Sequence, residues 1–83
     1  MIDSPEKALM QEKMQFLENL FRERGVDLKE YSVHSPGYPF DQIDVFPNEG
    51  TSSPEVVRKV LKTSGITYKE IGDTTVIRVE DVQ

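Results

Sequence analysis

The chain predicts an α+β fold: a two-layer sandwich with two helices on one face of a four-stranded, mostly antiparallel sheet. Three observations lead there. Two segments carry the same helix punctuation, Ser-Pro-Glu at the start and Gly just past the end. A Gly-Asp pair separates two β-rich runs near the C-terminus. The residues that follow the first helix are echoed by those that follow the second. Together they give the order α-β-β-α-β-β, a pseudo-repeat with halves at about 4–46 and 53–80 of a single domain covering 1–83.

The first helix opens at Ser4-Pro5-Glu6. Serine suits the N-cap, proline lacks an N–H that would have had no partner, and glutamate favours the positive end of the helix dipole. The run continues to Arg24, where Gly25 offers a left-handed stop. At 100° per residue Leu9, Phe16, Leu17 and Leu20 form an apolar stripe, widened on one side by Met10, Met14 and Phe21. Arg22 and Arg24 fall in the last turn, where cations are favoured.

The second helix repeats this grammar from Ser53-Pro54-Glu55 to Gly65. Val56, Val57, Val60 and Leu61 give its apolar face, and Arg58, Lys59 and Lys62 are expected on the outer side. Next come Ile66 to Ile71, the pair Gly72-Asp73, and Thr74 to Glu80, read as a hairpin with a two-residue turn. That turn pairs Ile71 with Thr74, hence Tyr68 with Ile77 and Ile66 with Val79. Tyr68, Ile77, Ile66 and Val79 then share one face, while Thr67, Lys69 and Arg78 project from the other. A register slipped by one would destroy the segregation.

Upstream, Gly25 matches Gly65, and Val26-Asp27-Leu28-Lys29-Glu30-Tyr31 matches Ile66-Thr67-Tyr68-Lys69-Glu70-Ile71. The first unit is therefore expected to have strands at Val26–Tyr31 and at about Asp41–Phe46, joined by a long loop, Ser32 to Phe40. A turn cluster, Pro47-Asn48-Glu49-Gly50, links the halves.

Composition excludes several function classes. With 15 acids against 10 bases the net charge is −5, so nucleic acid is not the expected partner, since phosphate-backbone binders carry surplus Lys and Arg. Glu30, Asp41, Asp44, Glu49 and Glu55 lie in a stretch from Glu30 to Val57 that contains no Lys or Arg. There is no cysteine, hence no disulfide or thiolate site. No uninterrupted apolar run exceeds Ala8-Leu9-Met10, so membrane insertion is not expected. The start, Met1-Ile2-Asp3-Ser4-Pro5-Glu6, lacks the basic and apolar regions of a secretory signal, which points to the cytoplasm.

Candidate chemistry is sparse. His34, beside Ser35 and near Asp41, would need an imidazole within reach of a hydroxyl, yet adjacent side chains on an extended segment diverge. Asp41, Asp44, Asn48 and Glu49 could supply oxygen ligands, but their spacing is not that of a calcium loop. The glycines form no phosphate-binding pattern. Arg58, Lys59 and Lys62, with Lys69, make a modest basic patch. The chain is thus not expected to be an enzyme or to hold a cofactor or metal.

Two features point to contact with other proteins instead. In Ser35-Pro36-Gly37-Tyr38-Pro39-Phe40 the Pro36-Gly37 pair suits the centre of a type II turn, and two prolines stiffen a loop carrying Tyr38 and Phe40. Those aromatics either fold back on the core or stand out as a recognition loop. A first helix reaching Arg24 spans about 30 Å, against about 20 Å for six-residue strands. Its first turns should project past the sheet with Leu9, Met10 and Met14, an apolar stripe for a partner to cover unless loops and Met1 and Ile2 do so.

The segment from Val56 to Ile77, with Thr63-Ser64-Gly65-Ile66-Thr67-Tyr68 at its centre and Gly72-Asp73-Thr74-Thr75-Val76-Ile77 at its end, resembles the close of the short N-terminal domain of secretins and TonB-dependent receptors. That resemblance implies a protein-binding, non-catalytic role, and a site outside the cytoplasm if this chain is cut from such a protein. The family opens with a strand before its first helix, where this chain opens with a long helix. HicA-type toxins share the helix–Gly–hairpin plan but carry a catalytic histidine in the hairpin, where this chain has Thr74 and Thr75.

The expected function is accordingly a non-catalytic protein-interaction domain or small adaptor, binding another protein or a second copy of itself through its long N-terminal helix. The expected contact residues are Leu9, Met10, Met14, Tyr38, Phe40, Asp41, Asp44 and Glu49. Two alternatives are a small acidic inhibitor that mimics phosphates against a basic surface, and an RNA-binding toxin-like domain.

Overall fold

The hydroxyl of Ser4 accepts the Lys7 N–H at 3.1 Å and caps α1, Pro5–Glu23. In the computed structural model, which describes residues 4–49 and 52–82, α1 is followed by β1 (Tyr31–His34), β2 (Gln42–Pro47), α2 (Glu55–Thr63), β3 (Lys69–Ile71) and β4 (Thr74–Arg78). A 3-10 turn at Val79–Asp81 completes the order. Met1, Ile2 and Gly50, for which the sequence suggested packing and turn roles, lie outside the described residues.

Both helices end by the same hydrogen-bond pattern. At the first end Val26 N–H donates to Phe21 O (2.9 Å) and Gly25 N–H to Arg22 O (3.2 Å). At the second, Ile66 N–H donates to Leu61 O (2.9 Å) and Gly65 N–H to Lys62 O (3.1 Å). Gly25 and Gly65 take φ of +86° and +74°, the left-handed conformation this closure demands of its central residue. Val26 and Ile66 are then turned inward and buried. The echo in the sequence is therefore two copies of one helix stop.

Beyond that stop the echo fails. Val26–Glu30 is not a strand: Asp27 accepts the Glu30 N–H at its carbonyl (2.9 Å) and the Lys29 N–H at its carboxylate (2.9 Å), folding the segment into a turn. The strand begins only at Tyr31. Likewise Ile66–Tyr68 leads into the sheet without pairing, and the last strand stops at Arg78 because the chain turns at Val79. The hairpin register holds, with Ile71 opposite Thr74 and Lys69 opposite Val76. α2 starts at Glu55 with Pro54 at the cap; the Ser53 hydroxyl still accepts the Glu55 N–H at 3.1 Å.

The sheet order is β1-β2-β4-β3, antiparallel throughout. Each half thus contributes its second strand to the centre. Ile43 pairs with Ile77 and Val45 with Thr75, and none of these four side chains has measurable exposure. Leu17 and Phe21 of α1 and Val57 and Leu61 of α2 join them in one core. The apolar seam of α1 runs along Met10, Leu17 and Phe21, flanked by half-buried Met14 and Leu20. Leu9 and Phe16, expected within the stripe, lie on its exposed margin.

Arg58, expected on the outer side of α2, is instead only 4% exposed. Its Nε donates to Thr75 Oγ1 (2.9 Å) and its Nη2 to the carbonyls of Gly72 (2.8 Å) and Thr74 (3.1 Å). Nη1 lies 3.3 Å from Glu55 Oε2 and 3.4 Å from Glu70 Oε1. One guanidinium therefore pins α2 to the β3–β4 turn and satisfies the buried threonine hydroxyl at the sheet centre.

Removing that clamp leaves Thr75 Oγ1 and two carbonyls short of donors, so Arg58→Met should cost about 2–3 kcal/mol. Lys59→Met, on the exposed neighbour, should stay within about 0.5 kcal/mol. Urea unfolding of the two variants checks the contrast.

Candidate functional site

The expected overhang of α1 is taken up by the chain itself. Nineteen residues of helix span about 28 Å, longer than β2, but Phe40 and Val79 lie beside its first turns, and Val82 is buried in the same core as Met10. Val79 N–H donates to Asp41 O (2.9 Å), fastening the C-terminal turn to the entry of β2. Met10 is consequently 3% exposed and belongs to the core, and Met14 packs against it. Neither is the free apolar surface the helix length suggested. Leu9 is: it stays 46% exposed.

A shallow groove opens beside Leu9. Its walls are Leu9 and Pro39-Phe40, its floor includes Val79, and Glu6, Asp41, Arg78 and Glu80 stand around it. Three different segments build it: the first turns of α1, the loop before β2, and the end of β4. The loop is held by Phe40 N–H donating to Gly37 O (2.8 Å) and by Gly37 N–H donating to Ser35 Oγ (3.2 Å). The turn therefore spans Gly37–Phe40, with a cis Tyr38–Pro39 bond, and is not centred on Pro36-Gly37. Phe40 sits at φ +62°, a region few non-glycine residues occupy, and its ring packs against the core. Tyr38 is 89% exposed and meets Phe40 edge to face, ring centroids 6.1 Å apart. The two aromatics thus divide the expected roles: Phe40 is the lid and Tyr38 stands out.

Of the expected contact residues, Leu9, Phe40 and Asp41 line this groove and Tyr38 adjoins it. Asp44 does not. It lies mid-strand in β2 opposite His34 and Val76, on the sheet face away from the helices, where its carboxylate accepts from Gln42 Nε2 at 3.2 Å. Glu49 follows the far end of β2, and that strand alone puts about 20 Å between it and Asp41. Pro39, Val79, Glu6 and Glu80 went unrecognised in the sequence. Val79 and Glu80 read as strand continuation, and nothing in their spacing announced the turn that brings them under α1.

The helix-free sheet face carries the row His34, Asp44, Val76, Lys69 across its four strands. Tyr68, Ile71 and Arg78 border a broader, mixed concavity there. Lys69 is therefore on the opposite layer from Lys59 and Lys62, and with Arg58 buried the expected basic patch reduces to two lysines. His34 is solvent-facing, while the Ser35 hydroxyl is engaged by Gly37 N–H. Among the described residues no group of three or more His, Cys, Asp or Glu side chains could hold a metal ion, and no helix is long and apolar enough to cross a membrane. Comparison with protein-family models, curated proteins and solved structures finds no match. What the groove offers is apolar contact with charged borders.

The two placements on α1 separate cleanly in experiment. Met10→Glu inserts a carboxylate into the core and should lower stability by about 3 kcal/mol or more. Leu9→Glu should change it by less than about 1 kcal/mol. Thermal melts followed by circular dichroism measure both.

Proposed function

We propose that this chain is a non-catalytic protein-interaction domain, a small adaptor that docks a protein partner through the groove beside Leu9 and the ring of Tyr38. The observation that carries this reading is the state of Tyr38. A large aromatic side chain is 89% exposed on a loop that is tied down by its own hydrogen bonds and by an anchored Phe40. Such a ring offers large contact area with little ordering cost, the property that makes tyrosine a frequent anchor in interfaces. Leu9 supplies adjoining apolar surface.

The alternatives draw less support. The acids between Glu30 and Glu55 do not share a face: Glu30 bonds to the Ser52 hydroxyl, Glu55 contacts Arg58, and Asp44 and Glu49 lie away from Asp41. A phosphate mimic would need them side by side. An RNA-binding surface on α2 keeps only Lys59 and Lys62 of its expected cations there, since Arg58 is buried.

A photo-crosslinking amino acid in place of Tyr38, expressed in the native host, tests the reading. Discrete adducts are expected from position 38, lost on adding Leu9→Glu, and absent when the probe replaces Lys62. Adducts made equally from position 62, or none from position 38, would remove the groove as the contact surface. An adduct of twice the chain mass identifies a second copy as the partner.

A further inference from the structure

The charges around the groove specify the kind of segment it accepts. Among the described residues, Glu6, Asp41 and Glu80 bring three carboxylates to its rim, against the guanidinium of Arg78. Arg78 is already engaged by Glu80 at 2.7 Å, so it does not offset the other two acids. The N-terminal end of α1 adds roughly half a positive charge, part of which Ser4 satisfies by accepting the Lys7 N–H. The rim stays negative, and the whole chain carries −5, so the long-range field has the same sign. Between these charged groups the lining, among the described residues, is Leu9, Pro39, Phe40 and Val79, all apolar.

We infer that the groove binds a protein segment presenting one bulky aliphatic or aromatic side chain flanked by lysine or arginine. This inference rests on the groove being the contact surface proposed above. The apolar side chain enters between Leu9 and Phe40, over Val79. The flanking cations pair with Glu6 and Asp41 at the rim. Opposite charges across a rim steer association and exclude acidic competitors more than they deepen affinity. Acidic segments, nucleic acid and anionic lipid all meet repulsion at the same rim.

Two synthetic peptides test this, one with a central Leu between pairs of Lys and one with the Lys replaced by Glu. Each is titrated into the 15N-labelled full chain and followed by amide chemical shifts. The Lys peptide should shift the amides of Leu9, Phe40 and Val79, and should bind about tenfold tighter than the Glu peptide at low salt. Its affinity should fall several-fold at 0.5 M salt. Replacing its Leu by Ser should abolish the shifts. Glu6→Gln combined with Asp41→Asn, both exposed, should narrow the difference between the peptides to about threefold or less.

Equal shifts of the groove amides by both peptides would overturn the charge selection while leaving the groove as a contact surface. Shifts confined to Val76 and Lys69, or none at millimolar peptide, would overturn the inference. Crosslinking from position 38 decides the broader reading separately.

Discussion

The pairing of β2 with β4 is the constraint on which this fold depends. Each half of the chain supplies a hairpin and a helix, and a lone two-stranded hairpin is marginal in water. Joining the two inner strands makes a four-stranded platform whose central inward residues, Ile43, Val45, Thr75 and Ile77, are shielded by both helices at once. Leu17 and Phe21 of the first half share one buried core with Val57 and Leu61 of the second. The seam is thus where the hairpins of the two halves become one sheet.

That seam includes a polar residue, and its treatment explains the most unexpected side chain in the molecule. A buried threonine hydroxyl without a partner is costly. Arg58 reaches it from α2, and its remaining donors find the Gly72 and Thr74 carbonyls at the hairpin turn. Its charge is balanced by Glu55 and Glu70 at the surface. The guanidinium therefore reads the position of the turn as well as that of the strand. An aliphatic side chain would fill the space but would not distinguish one placement of α2 from another. At the other end of the sheet, Asn48 does comparable work: its amide donates to Lys29 O (2.7 Å), its carbonyl accepts from Ser32 Oγ (2.7 Å), and its backbone N–H reaches Glu30 O (2.8 Å).

Element order and the hairpin register were legible in the sequence because both are local. Helix stops at Gly25 and Gly65 are written in the residues that form them, and a two-residue turn at Gly72-Asp73 dictates its own register. What was not legible is set by distant contacts. Val26–Glu30 has the alternation of a strand, but Asp27 bonds its own neighbours and the turn wins. Arg58 has the periodicity of an outer residue; only the arrival of Thr75 makes its burial favourable. The length of α1 was read correctly, yet the inference that Met10 would be bare failed. The chain returns at Val79 to cover it, and sequence spacing carries no information about a return. Leu9, Tyr38 and Phe40 were singled out as apolar and aromatic side chains on the long helix and in a proline-stiffened loop, and Asp41 as an acid in a stretch without Lys or Arg; Leu9, Phe40 and Asp41 come together at one groove. Glu6, Pro39, Val79 and Glu80 join them only through tertiary structure.

The outermost strands have a further consequence. β1 has four residues and β3 three, and β3 presents Lys69 and Glu70 beside its only aliphatic, Ile71. Edges so brief, and at β3 charged as well, make poor templates for a foreign chain to zip onto. Fibrillar growth by strand addition is discouraged at both flanks, and a visiting protein is left to grip side chains in place of the backbone ladder.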